Sequence, residues 1–111
     1  MDEQVKAYIA QYPEQIAQLF MMLRGLVYES VSVDVTEKLW ARLPSYYAGD
    51  AFVRLIPFKN HINVEARAVL QHSGELTGCK ITPKGMLQLD VKQDVPREVL
   101  LSIFADTLEK T

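Results

Sequence analysis

The stretch AFVRLIPFKNHINVE, residues 51–65, decides the fold of this chain. Its first part, Ala51 to Pro57, is short and strongly apolar, which is typical of a strand in the middle of a sheet. Residues 58–61, FKNH, have the composition of a turn, and residues 62–65 then predict a return strand. The stretch therefore predicts an antiparallel hairpin. The secondary-structure elements that pack on this hairpin have to come from the rest of the chain.

The return strand alternates between apolar and polar side chains. Successive side chains of a strand point to opposite faces of the sheet. We therefore expect Ile62 and Val64 to face the core, and His61, Asn63 and Glu65 to face away from it.

Two helices are predicted before this hairpin. Apolar residues recur at spacings of three and four over residues 5–12 and again from Pro13 to about Ser30, the period of an amphipathic helix. Gly25 lies inside the second helix, where close approach of a neighbouring backbone would explain it. Residues 37–47 predict an edge strand, or one that ends at Pro44, because proline cannot donate to a sheet ladder.

After the hairpin the pattern predicts a short helix, a turn, a strand and a closing helix. These cover about residues 65–71, then 82–85, then 86–91, and finally the segment after Pro96. The predicted fold is α+β in one domain, residues 1–111. It has an antiparallel sheet of about four strands, with two N-terminal helices, a short inserted helix and a C-terminal helix packed on one face.

Composition excludes several classes of protein. The chain has 111 residues, with 12 basic and 14 acidic side chains, and this balance argues against a nucleic-acid binder. One cysteine forms no internal disulfide, and no apolar run is long enough to span a membrane. Because the first residues are acidic, unlike a signal peptide, we expect a cytoplasmic protein that does not insert into membranes.

The charges are nevertheless segregated along the chain. Residues 1–37 carry a net charge of −4, residues 38–84 carry +4 and residues 85–111 carry −2. The basic segment is the predicted sheet. It also holds half of the aromatic residues of the chain, which either pack in the core or form a stacking platform: Trp40, Tyr46, Tyr47, Phe52 and Phe58.

Five residues at or near predicted hairpin turns form the candidate binding site: Lys59, Asn60, His61, Lys80 and Lys84. If those turns share one end of the sheet, the ammonium groups converge and could hold a phosphate or carboxylate. The alternatives are that the lysines only solvate the turns, and that His61 bonds locally or ligates a metal. Arg42, Arg54 and Arg67 join the site only if strand faces and register allow it.

No motif of a known catalytic or nucleotide-binding type is present, so we expect no enzymatic activity and no resident cofactor. The chain does resemble a bacterial family of unknown function, the YdhG-like domains. The resemblance covers nearly the whole chain and is carried by residues 8–13 (YIAQYP), 58–62 (FKNHI), 78–80 (GCK), 84–85 (KG) and 94–96 (DVP).

The YdhG-like family is similar to frataxin in architecture, and at least one relative is regarded as an iron chaperone. The resemblance therefore implies an iron-handling protein that uses surface carboxylates, although the first thirty residues hold few: Asp2, Glu3, Glu14 and Glu29. Our first hypothesis is a non-enzymatic binding or adaptor domain, monomeric or homodimeric, for a small anion or an acidic protein. The iron chaperone is the alternative.

Overall fold

Three α-helices, six β-strands and one 3₁₀ helix make up most of residues 1–109, the part of the chain that this computed structural model describes. The α-helices are α1 (Glu3–Ile9), α2 (Glu14–Ser30) and α3 (Arg97–Leu108), and the 3₁₀ helix spans Arg67–Glu75. The strands are β1 (Thr36–Trp40), β2 (Leu43–Ala48), β3 (Ala51–Pro57), β4 (His61–Ala66), β5 (Lys80–Ile81) and β6 (Leu87–Asp90).

The strands form one antiparallel sheet in the order β1-β2-β3-β4-β6-β5. The hairpin predicted from residues 51–65 is confirmed as β3 and β4 at its centre, with Leu55 opposite Val64. The predicted α+β class is also confirmed. Within residues 1–109, no helix combines the length and the apolar character needed to cross a membrane.

The sheet has six strands rather than about four, because residues 37–47 form two strands and not one. Ala41 and Arg42 turn the chain with φ values of 50° and 66°, the left-handed conformation that two-residue hairpin turns require. Glycine or asparagine usually signals such a turn, and neither is present. The other added strand, β5, has only two residues, too few for any periodicity.

The expectation that Pro44 confines its segment to the edge or ends the strand is wrong. Pro44 lies inside β2, which runs between β1 and β3. The proline is tolerated because it sits near the start of β2: it lies opposite Leu39 of β1, whereas the register with β3 begins only at Ser45. There is thus no β3 partner opposite the missing N–H.

The helices cover one face of the sheet. Helices α2 and α3 pack on each other and on β3 and β4, and α1 packs on β1. The fully buried side chains between helices and sheet include Phe20, Leu23, Tyr46, Val53, Leu55, Ile62, Val64, Leu87, Leu89, Leu100 and Phe104. The short helix packs on α3 and begins at Arg67 rather than residue 65, since Glu65 and Ala66 still belong to β4.

Glu37 of β1 joins four parts of the chain on the covered face. Its carboxylate accepts hydrogen bonds from Arg24 Nε of α2 (2.6 Å), from Tyr46 Oη of β2 (2.8 Å) and from the Asp2 backbone N–H before α1 (2.7 Å). Burial alone would raise the pKa of Glu37, but these hydrogen bonds and the Arg24 charge hold it below its ordinary value.

We expect Glu37→Gln to destabilise the fold by about 2 kcal/mol near neutral pH, because Arg24 loses the charge of its partner. Since the folded pKa is depressed, the carboxylate stabilises above about pH 5, and this is lost as the pH falls through the folded value. Urea unfolding of both proteins across this range measures the difference. A gap between them that stayed constant down to the most acid pH would contradict the assignment.

Gly25 lies on the exposed side of α2, and a Cβ placed on it meets no atom within 4 Å. The expectation that a close backbone explains this glycine is therefore wrong. We expect Gly25→Ala to stabilise the protein by about 0.5–1 kcal/mol, because alanine loses less backbone entropy in a helix. Thermal unfolding measures the gain, and an unchanged or lower Tm would contradict it.

Candidate functional site

Three of the five candidate residues lie together at one end of the sheet. Lys59 and Asn60 form the turn between β3 and β4, and His61 is the first residue of β4, opposite Asp90 at the end of β6. The predicted alternation holds as well. Ile62 and Val64 are completely buried on the helix side, whereas the intervening side chains are only partly buried.

Lys84 lies at the opposite end of the sheet, so the five residues do not form one site. Strands β4 and β6 are antiparallel, with His61 opposite Asp90 and Val64 opposite Leu87. The turn that carries Lys84 leads into β6 at Leu87 and therefore lies beyond the far end of β4. The prediction that Lys59, His61 and Lys84 converge is therefore wrong, because the strand direction places Lys84 at the other end of the sheet.

Lys80 takes an intermediate position. It pairs with Gln88 of β6, which in turn lies opposite Asn63 of β4. Since directly paired residues share a face, Lys80 lies on the same face as His61, which is the face on which none of the described helices packs. Lys80 therefore shares a face of the sheet with His61, and Lys59 and Asn60 lie in the turn at one end of that face.

We call this surface the open face. Its residues, taken from the register of the strands, are Thr36, Lys38, Trp40, Leu43, Ser45, Tyr47, Phe52, Arg54, Ile56, His61, Asn63, Glu65, Lys80, Gln88 and Asp90. Phe58, just after β3, joins them because its ring stacks on that of His61. Two large aromatic side chains on it are exposed, Trp40 by 50% and Phe58 by 43%. Exposed aromatic groups on a face that no helix covers are typical of an interaction surface.

Arg54 organises one half of the open face. Its guanidinium lies between two rings, 4.0 Å from the ring centroid of Trp40 and 3.9 Å from that of Phe52. Nε donates to Ser45 Oγ at 3.1 Å and Nη2 to Tyr47 Oη at 3.1 Å. This side chain is almost fully buried although its face carries no helix, because the two rings cover it.

The other half is built on the β3–β4 turn. The rings of Phe58 and His61 stack with their centroids 4.4 Å apart, and His61 Nδ1 lies 2.8 Å from Asn60 Oδ1. His61 is therefore held by its own turn, in line with the interpretation that it bonds locally. Both exposed rings, Trp40 and Phe58, thus rest on a second planar group that restricts their motion.

Further basic side chains lie at the end of the sheet that carries Lys59. The antiparallel pairing of β2 with β3 places the start of β2 and the end of β3 at the same end of the sheet, so the β1–β2 turn with Arg42 and the β3–β4 turn both lie at that end. Lys92 follows the end of β6 at this same end. No local sequence pattern indicates Lys92, since only the strand directions bring it there.

Metal ligands do not cluster in the described part of the chain: residues 1–109 contain no group of three or more His, Cys, Asp or Glu side chains placed to hold an ion. His72 does contact two carboxylates, with Nε2 2.7 Å from Asp106 and Nδ1 bonded to Glu75. These lie on opposite sides of the ring, however, and their hydrogen bonds raise the pKa of His72. His72 is thus a hydrogen-bonded bridge between the 3₁₀ helix and α3.

Comparison of the chain with protein-family models, with curated proteins and with solved structures finds no match. The open face is therefore interpreted from its own geometry.

We expect Arg54→Lys to destabilise the protein by about 1–2 kcal/mol. A lysine cannot lie flat between Trp40 and Phe52 and also donate to Ser45 and Tyr47. Denaturant unfolding measures the loss, and Lys59→Ala, which removes an exposed charge from the β3–β4 turn, is the control with a change below about 0.5 kcal/mol. Equal stability of Arg54→Lys and the native protein would contradict the role given to the stacked guanidinium.

Proposed function

We propose that this protein is a non-enzymatic binding or adaptor domain that docks an acidic segment of a partner protein on its open face. The observation that carries the proposal is the pair of exposed aromatic side chains, Trp40 and Phe58, on a face where none of the described helices packs and which has basic side chains at one end and on its edge strands.

Charge favours an acidic partner. Five exposed cations lie on or beside the open face and have no ion pair within residues 1–109: Lys38, Arg42, Lys59, Lys80 and Lys92. The two carboxylates of the face are already engaged. Glu65 lies 3.6 Å from Arg54 Nη1, and Asp90 accepts the Lys92 backbone N–H at 2.9 Å. An approaching carboxylate therefore meets uncompensated positive charge.

The aromatic residues would supply the apolar part of the contact. Interfaces draw most of their energy from a few large anchors that lose little freedom on binding. Trp40 rests on Arg54, and Phe58 rests on His61, so both rings are already ordered before a partner arrives. Ile56 lies on the same face, two residues before Phe58 in the chain, and extends the apolar surface.

A protein segment fits this surface better than a nucleic acid or a second copy of the chain. The chain as a whole carries a net charge of −2, and its N-terminal helices are acidic, so a long polyanion would be repelled outside the open face. Lys38 sits in the middle of the edge strand β1. Antiparallel pairing of two β1 strands centred there would oppose two ammonium groups.

The resemblance to the YdhG-like family remains a proposal, and the iron chaperone that it implies gains no support from a ligand cluster within residues 1–109. The binding role needs no metal.

The proposal is tested with a labelled short peptide of alternating glutamate and leucine. Trp40 is the sole tryptophan of the chain, so its fluorescence reports contact with the open face directly. We expect saturable binding that perturbs Trp40 and weakens as salt is raised to about 0.5 M. The double variant Lys38→Ala/Lys59→Ala should weaken binding by about fivefold to tenfold.

The matched control is Lys6→Ala/Lys84→Ala, which removes the same charge from α1 and from the far turn and should leave binding unchanged. Equal weakening by both double variants would attribute the binding to net charge and overturn the proposal. Tighter binding of a single-stranded oligonucleotide than of the peptide would also overturn it, in favour of a nucleic-acid surface.

A further inference from the structure

A cavity of about 330 Å³ lies at the end of the sheet that carries Lys84. It opens between the β2–β3 turn and the β5–β6 turn, over the end of β4 and the start of the 3₁₀ helix. Its apolar wall includes Phe52, Leu70 and Met86. The volume is in the range of pockets that hold small molecules, and the cavity is separate from the basic end of the open face.

One apolar side chain at this cavity is unusually exposed. Leu70 of the 3₁₀ helix is 62% accessible, the largest exposure among the exposed large apolar residues of the described chain. It nevertheless lies against a fixed wall, since a Cβ placed on Gly85 would be 3.4 Å from Leu70 Cδ1. An aliphatic group entering the cavity would cover Leu70 and gain the free energy of removing that surface from water.

The turn against which Leu70 lies is also ordered. Gly85 has a φ of +86° and donates its N–H to the Thr82 carbonyl at 2.9 Å, while the Met86 N–H donates to Thr82 Oγ1 at 3.1 Å. These two hydrogen bonds hold the β5–β6 turn in one conformation. Lys84 is therefore presented to the cavity by an ordered turn.

The cavity has two basic and two acidic lining side chains, which the topology places on different sides. Asp50 belongs to the β2–β3 turn and Lys84 to the β5–β6 turn, while Glu65 and Arg67 stand between them at the end of β4. In the order of the sheet the β2–β3 and β5–β6 turns lie on either side of that strand. One side of the cavity is thus acidic and the other basic.

The two charged side chains at the end of β4 already have polar partners, whereas the two on the flanking turns form no ion pair within residues 1–109. Glu65 is paired with Arg54, and Arg67 Nη2 donates to the Asp106 carbonyl at 2.8 Å. Asp50 and Lys84 have no ion pair within residues 1–109. The two available charges of the lining are therefore one carboxylate and one ammonium group.

We propose that this cavity binds a free aliphatic α-amino acid, a ligand that nothing in the proposed docking function requires. Its carboxylate lies beside Lys84, its ammonium group beside Asp50, and its side chain against Leu70. A ligand that carries both an ammonium group and a carboxylate can pair with both side chains. A simple anion would be repelled by the carboxylate of Asp50, and a simple cation would be repelled by the ammonium group of Lys84.

The test compares three ligands that share the leucine side chain by amide chemical shifts of the labelled protein: leucine, N-acetyl-leucine and leucinamide. We expect saturable shifts at Leu70 and Gly85 with leucine, with a Kd on the order of 1 mM. N-acetyl-leucine, which lacks the ammonium group, and leucinamide, which lacks the carboxylate, should each bind about fivefold more weakly or worse.

Two exposed turn variants separate the two charges. Lys84→Ala should weaken leucine about fivefold and remove the preference for leucine over leucinamide, whereas Asp50→Ala should remove the preference over N-acetyl-leucine. Leu70→Ser should weaken all three ligands. Lys59→Ala, at the other end of the sheet, is the control and should leave all three affinities unchanged.

The proposal is overturned if leucine gives no saturable shifts at Leu70 and Gly85 up to about 20 mM, or if N-acetyl-leucine binds as tightly as leucine to the native protein. The docking proposal is tested separately, by peptide binding and the variants Lys38→Ala and Lys59→Ala. A negative result for leucine therefore leaves the docking proposal unaffected, and a negative result for the peptide leaves the leucine proposal unaffected.

Discussion

The buried carboxylate of Glu37 is the contact on which the arrangement of this fold depends. It holds α2 through Arg24, the start of α1 through the Asp2 backbone, and β2 through Tyr46. A charge so enclosed persists only when it is fully hydrogen-bonded, so these elements have to meet at one point. Since neighbouring side chains of a strand point to opposite faces, inward placement of Glu37 places Lys38 on the opposite face.

That division of faces produces the surfaces on which the proposals rest. The helices all bind the face that carries Glu37, and the opposite face is left to Arg54 and the rings that enclose it. The antiparallel order of the strands then gives the two ends of the sheet different chemistry. One end gathers Arg42, Lys59 and Lys92 beside exposed aromatic groups, and the other places Asp50 and Lys84 on either side of an apolar cavity.

Much of the fold could be predicted, and the failures have specific physical causes. The β3–β4 hairpin, the outward direction of His61 and the long helix were predicted because burial imposes a clear period on their apolar residues. The β1–β2 hairpin was missed because Ala41 and Arg42 adopt positive φ without the residues that usually indicate it. Pro44 was misjudged because its effect depends on where the partner strand begins.

The sequence by itself determined the fold class, the segregation of charge and the face on which each residue of β4 lies, because these follow from local periodicity and composition. Only the tertiary structure decided which turns share an end of the sheet. Lys59 and Lys84 look equivalent along the chain, as lysines in turns that lead into strands, yet the antiparallel pairing of β4 with β6 separates them. Convergence depends on the order and direction of strands, which are set by packing between segments distant in sequence.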